Sequence, residues 1–288
     1  MPSTTTQRKL ASQFIAVTNA TKESAAHYLR TANYNLDAAI NLYFSSADAE
    51  QAAGQPSPDE DLNKMFDGLL SQQDREADES NNTMGAESLE QYVGQLGVNH
   101  VNYELFVLLD IVEAEGLGQI SRKGFVNGWR AVMLNRDYQV EATISSQKRY
   151  VRKCIDQLPG NATQFKKLYQ RAFLTGKEPQ QKAVDKDIAM VFWDMLFDPA
   201  VHPWRSKHVN WLEVWKGFLE EKWKRSVNRD MWNQTLIFAG KTMEDETLGF
   251  WNEDQAWPSV IDDFVAWCRE TNVVAAAKGG AETMEVDE

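Results

Sequence analysis

Two cysteines and four histidines are the residues of this chain best suited to covalent or metal chemistry, and their placement does not support it. Cys154 lies between Tyr150 and Leu158, and Cys268 follows Phe264 by four residues, on the same helical face. Both read as packing residues. A catalytic thiolate or alkoxide needs a base beside it, and none is evident in either pattern. His27, His100, His202 and His208 have no metal-ligand spacing, and neither a phosphate-cradling loop nor a Gly-x-Ser-x-Gly elbow occurs. The stretch from Glu113 to Gly124 has the outline of a calcium loop, with Gly118 at position six and Ile120 at eight. Its ligands are missing: position five is Leu117, and position twelve, which should be a bidentate Glu, is Gly124. The expectation is a helix–loop–helix kept as a scaffold without a metal, with Ser121 capping the following helix. The remaining candidates are acids. Asp230 follows Arg229 in a helix's first turn, and Asp262 and Asp263 follow Pro258, which suits the start of another. Acids there offset the helix dipole by about 0.3–1 kcal/mol and need no partner. Alternatively they face a basic protein, and Ala256 in the acidic stretch before them is small enough to let it approach. Both readings stay open on spacing alone.

These residues sit in a chain of 288 residues with 42 acidic and 30 basic side chains, a formal charge of −12. Such a balance repels phosphate backbones and anionic lipid, which excludes nucleic acid and membrane surfaces as expected partners. No disulfide framework, cofactor motif or membrane-length apolar run is present, and the expectation is a protein of cytoplasm and nucleus. Helical periodicity dominates and period-two alternation is absent, so the fold class is all-α. Three short helical patterns open the chain, carrying Leu10, Phe14 and Val17, then Ala25, Tyr28 and Leu29, then Leu36, Ala39, Ile40, Tyr43 and Phe44. They define a three-helix domain at 1–45. A linker poor in large apolar residues follows at 46–60, a large helical domain at 61–273, and an acidic tail at 274–288. Nine of the ten tryptophans fall between Trp193 and Trp267, as core or interhelix packing.

Several of these residues together form a recognisable signature. Trp232 and Asn233 follow Arg229 and Asp230, and Gln255, Ala256, Trp257 and Pro258 lead into Asp262, Asp263 and Phe264. Phe218 and Leu219, Arg225 and Ser226, and Phe192, Trp193 and Asp194 add to it. In these the sequence resembles the Defective-in-cullin-neddylation family over nearly its whole length. The resemblance implies a ubiquitin-associated-like three-helix domain and a potentiating-neddylation domain with EF-hand-like helix–loop–helix units that lack calcium ligands. It implies a scaffold-type ligase or co-ligase, which promotes transfer of the ubiquitin-like modifier Nedd to a cullin lysine without a nucleophile or cofactor of its own. The implied partners are the C-terminal winged-helix region of a cullin, held by Asp230, Ala256 and Asp262, and the Nedd-specific conjugating enzyme. That enzyme's acetylated N-terminus would enter an apolar pocket walled by Leu89, Leu105, Leu108, Ile120, Phe192 and Met195, with Leu117 and Gly118 on the rim. Acetylation removes the terminal charge, so the tail can be buried without stranding a cation. The usual Met-Gly-Phe/Tyr ubiquitin-contact loop is replaced by 17–20, which leaves Leu42 and Tyr43 for weak ubiquitin binding. The alternatives are a non-catalytic ubiquitin-binding adaptor and, disfavoured by Leu117 and Gly124, a calcium-responsive regulator.

Overall fold

A computed structural model describes residues 4–18, 20–44, 58–135, 137–178, 180–252, 254 and 256–273. Asn19, most of the 46–60 linker and the 274–288 tail lie outside these residues. The described residues form fourteen helices and four two-residue strands, an all-α fold. Backbone packing divides the chain after Lys64 into two units.

In the smaller unit, α1 (Thr4–Thr18), α2 (Lys22–Thr31) and α3 (Leu36–Phe44) pack pairwise. The Thr21 hydroxyl accepts the Ser24 amide at 3.1 Å and starts α2, and the Asn35 side chain accepts the Ala38 amide to start α3. Phe14, Tyr28 and Tyr43 form the aromatic centre, with Phe14 and Tyr43 edge-on at 5.6 Å and Tyr28 and Tyr43 at 5.4 Å. Tyr43, expected as a ubiquitin contact, is only 2% exposed and belongs to this core. Its neighbours Leu42 and Phe44 are the exposed apolar residues of α3.

α4 (Pro58–Leu69) spans the division between the units. The larger unit is organised by two helix–loop–helix pairs, each held by a short antiparallel bridge. In the first, α5 (Gln72–Ala77), β1 (Thr83–Met84) and α6 (Ala86–Leu96) join α7 (Glu104–Ile111), β2 (Ile120–Ser121) and α8 (Arg122–Met133). Met84 pairs with Ile120, and the bridge is buried at both residues. Ser121 caps α8 as expected, its hydroxyl accepting the Gly124 amide at 3.1 Å. At Gly124 a Cβ would fall 2.5 Å from the Val112 carbonyl oxygen, so backbone already fills the space where a calcium-ligating side chain would start.

α9 (Ile144–Asp156) packs across α6 and α7 and leads to the second pair. That pair comprises α10 (Ala162–Gly176), β3 (Ala183–Val184) and α11 (Lys186–Leu196) with α12 (Trp211–Lys222), β4 (Val227–Asn228) and α13 (Arg229–Glu244). Val184 pairs with Val227. α14 (Ser259–Glu270) closes on α12. Buried tryptophans hold this pair together. Trp193 and Trp232 stack at 5.2 Å, and Tyr169 stacks on Trp232 at 4.6 Å. Burying an indole N–H is costly unless it is bonded. Trp193 Nε1 donates to the Tyr169 hydroxyl at 2.7 Å, which donates to the Trp232 carbonyl at 2.9 Å. Trp232 Nε1 donates in turn to the Tyr169 carbonyl at 2.9 Å, so α10 and α13 are tied reciprocally.

Candidate functional site

The acidic candidates lie on α13, on α14 and on the loop between them. Asn228 caps α13 by accepting the Met231 amide at 2.8 Å, which puts Asp230 in the first turn with its side chain exposed. The connecting loop is anchored by Asp245, whose carboxylate accepts the amides of Thr247 and Gly249, both at 2.9 Å. Its bond with the Thr247 hydroxyl leads the interactions that hold the Asp245 carboxyl below its ordinary value, against some desolvation. Farther along, Phe250 and Trp257 pin the loop to Phe238 of α13, at 5.5 and 5.7 Å, and Phe238 also packs on Phe264 of α14.

Trp251 completes the arrangement. Its Nε1 donates to Asp262 Oδ1 at 3.0 Å, and the Arg269 guanidinium lies 4.8 Å from its ring. Residues 262 and 269 are seven apart and so share a helix face, which the indole covers. Asp262 is thereby fixed to the loop that carries Ala256, itself exposed, while Glu253 and Gln255 lie outside the described residues. One carboxylate oxygen of Asp262 is engaged by Trp251. Asp263 beside it is exposed. Asp230 is not bonded to either residue. It stands about 12 Å back along α13 from Phe238, at 1.5 Å per residue. The structure therefore couples Asp262 to the Ala256 loop directly and to Asp230 only through the packing of α13 on α14. Trp251, which the sequence offered as one packing tryptophan among many, is the missed member of this group.

The residues expected to wall an apolar pocket are mostly core. Leu108 and Ile120 are fully buried, Phe192 is 2% exposed, and Leu89 and Met195 are nearly as enclosed. Leu105 and Leu117 are half-buried and Gly118 is exposed. Leu105 and Leu108 share a face of α7, whereas Phe192 meets α7 at Phe106, at 4.9 Å. Phe106 is about 160° round the helix from Leu108, given 100° per residue. The accessible part of the group is thus Leu105 with the 117–118 loop.

Neither cysteine is reactive by environment. Burial raises the Cys154 thiol above its ordinary value and pushes Cys268 up to about 12, whereas nucleophilic cysteines are lowered. Among the described residues no three His, Cys, Asp or Glu side chains group to hold an ion, and no helix is long and apolar enough to cross a membrane.

Two family models match the chain, one described as a UBA-like domain over residues 8–50 and one as Cullin binding over residues 146–267. The second spans the tryptophan-tied pair, Asp230, and the Trp251–Asp262 contact. A UBA-like helical unit followed by a cullin-binding helical domain defines the class of protein. Defective in cullin neddylation protein 1 of Pyricularia oryzae is 37% identical over 297 residues, covering 100% of both chains. The proteins of that name from Mycosarcoma maydis (26% identical; 94% of this chain, 97% of that one) and Saccharomyces cerevisiae (22%; 90% and 92%) align similarly. The chain belongs to the Defective in cullin neddylation family.

Proposed function

We propose that this chain promotes cullin neddylation as a non-covalent co-ligase in cytoplasm and nucleus, gripping acceptor and donor at once. The cullin's C-terminal winged-helix region, presenting basic side chains, docks on Asp230, Ala256 and Asp262. The acetylated N-terminus of the Nedd-specific conjugating enzyme docks at Leu105 and the 117–118 loop, with Leu108 and Ile120 beneath. The observation that carries this reading is the built acidic corner, in which Trp251 ties Asp262 to the loop that carries the exposed Ala256.

The reactive thioester is already formed on the conjugating enzyme and the nucleophile is the cullin lysine, so the scaffold need supply only proximity. Linking two modules raises their effective concentration to about the millimolar range, and good orientation lowers the barrier by on the order of several kcal/mol more. Two unreactive cysteines accord with that role. In a reconstituted reaction the chain is expected to accelerate cullin modification, Asp262→Lys to abolish the acceleration, and the double variant Cys154→Ser, Cys268→Ser to retain it. Loss of transfer in a folded cysteine variant with both partners still bound would overturn the proposal. A second activity, weak ubiquitin binding, is favoured by the exposed Val17, Leu42 and Phe44. Ubiquitin binding with no change in the rate of cullin modification would make the chain an adaptor instead.

A further inference from the structure

Outside both of these groups, α7, α9 and α10 leave a cavity of about 170 Å³. Val107, Ile111, Leu158 and Leu168 line it, together with Tyr138 and Tyr150, whose rings meet edge-on at 5.0 Å, and with the polar groups of Cys154, Gln157 and Gln164. By volume it has room for a single leucine- or phenylalanine-sized side chain, since about 150 Å³ accepts a benzene ring. At Asp110 and Lys167 it meets a broader depression of about 440 Å³, bounded by Gln170 and Arg171 on α10 and by Arg229 and Asn233 on α13.

The depression has the opposite sign to the molecule. Lys167, Arg171 and Arg229 line it with one carboxylate, Asp110, in a chain of net charge −12, while Glu113 bears on Asp110 and Asp230 follows Arg229 at the edge. Arg171 lies 3.8 Å from Asp110 and donates to the Ala114 carbonyl at 3.0 Å, but its buried Nε donates no hydrogen bond. Lys167 and Arg229 make no salt bridge among the described residues. Two side-chain amides, Gln170 and Asn233, stand between these cations.

We propose that this cleft docks an acidic peptide segment of a partner protein, one bulky apolar side chain entering the cavity and the carboxylates beyond it lying across Lys167, Arg171 and Arg229. Guanidinium groups bind carboxylates through paired, charge-assisted hydrogen bonds, the amides suit a peptide backbone, and a desolvated anchor in a pocket supplies most of the affinity at such sites. A bare anion would leave the aliphatic and tyrosine surface of the cavity unused. A nucleic acid would meet the repulsion of the whole acidic surface, whereas a short acidic segment feels chiefly the charges within the Debye length of about 8 Å. The inference does not rest on the cullin reading.

The probe is a fluorescent peptide with one phenylalanine followed by four glutamates, titrated into the full chain by anisotropy. Saturable binding is expected, weakened about tenfold or more by the double variant Lys167→Glu, Arg229→Glu and unchanged in Asp262→Lys. Both reversed residues are exposed, so the helical circular-dichroism signal should persist. Replacing the phenylalanine by alanine should also weaken binding, and the bound peptide should slow alkylation of Cys154, which lines the cavity. Absence of binding, equal affinity in the charge-reversal variant, or equal affinity of the alanine peptide without protection of Cys154 would overturn the proposal. So would displacement by inorganic phosphate irrespective of the phenylalanine, which would reduce the cleft to an anion site.

Discussion

Asp262 gives the sharpest test of the acidic corner, because its charge can be separated from its structural bond. In Asp262→Asn the side-chain oxygen that accepts Trp251 Nε1 is retained, so the loop bearing Ala256 stays in place while the charge goes. A lysine or arginine of a partner at 4 Å from Asp262 would interact by about 4 kcal/mol at an effective dielectric of 20. Asp262 is half-exposed, and desolvation and salt reduce this to about 1–2 kcal/mol net. Asp262→Asn should therefore weaken binding of the cullin winged-helix fragment about 5- to 30-fold. Asp262→Lys replaces attraction by repulsion of similar size, so its loss should be about double in free energy, on the order of 2–4 kcal/mol. Calorimetric titration at low and high salt measures both, and the wild-type affinity alone should fall steeply with salt. Equal affinities for the two variants and the wild type would refute the charge argument. Equal large losses in both would place the effect in the loop rather than in the carboxylate.

Three further outcomes follow from the described geometry. Leu105→Asp should weaken binding of an acetylated conjugating-enzyme peptide by about tenfold or more with the fold intact, whereas Leu108→Asp buries a charge and should lower the melting temperature as well; normal peptide affinity in folded Leu105→Asp would remove this pocket. His202 stacks on Phe165 at 4.2 Å, and burial holds its pKa below the ordinary value of 6.5. The unfolded chain thus binds a proton more readily, so His202's contribution to stability is full above about pH 6.5 and shrinks as pH falls below it; His202→Phe should flatten that slope in melting curves, and an unchanged slope counts against it. Phe44→Glu should reduce ubiquitin binding with the small unit still folded, whereas Tyr43→Ala should unfold that unit at a cost of about 3–5 kcal/mol; NMR spectra of the full chain with and without ubiquitin distinguish the two.

The helical class, the three-helix opening and the capping by Ser121 were legible in the sequence because each rests on local periodicity or on a cap three residues from its partner. The second helix–loop–helix pair was less visible. Its strands, Ala183–Val184 and Val227–Asn228, are two residues each and show no alternation, and their pairing joins segments more than forty residues apart. Tyr43 illustrates another limit. Periodicity marks a helix's apolar stripe, but it does not say which end of the stripe reaches the core, and Phe14 and Tyr28 claim Tyr43 where its neighbours remain outside. Phe192 and Leu108 were grouped by motif, yet Phe192 packs on Phe106, on the side of α7 away from Leu108. Trp251 was hidden for the opposite reason: an indole among ten reads as packing until its N–H is found on Asp262.

Gly124 has a longer reach than its size suggests. In a calcium-responsive helix–loop–helix the twelfth residue is the lever by which an ion pulls one helix against the next, and here main chain has moved into the lever's seat. Converting Gly124 to a glutamate would not revive an ion site but would wedge the α7–α8 turn apart. The spacing of α7 and α8 is thus set at Gly124 by main chain packed on main chain rather than by a side chain.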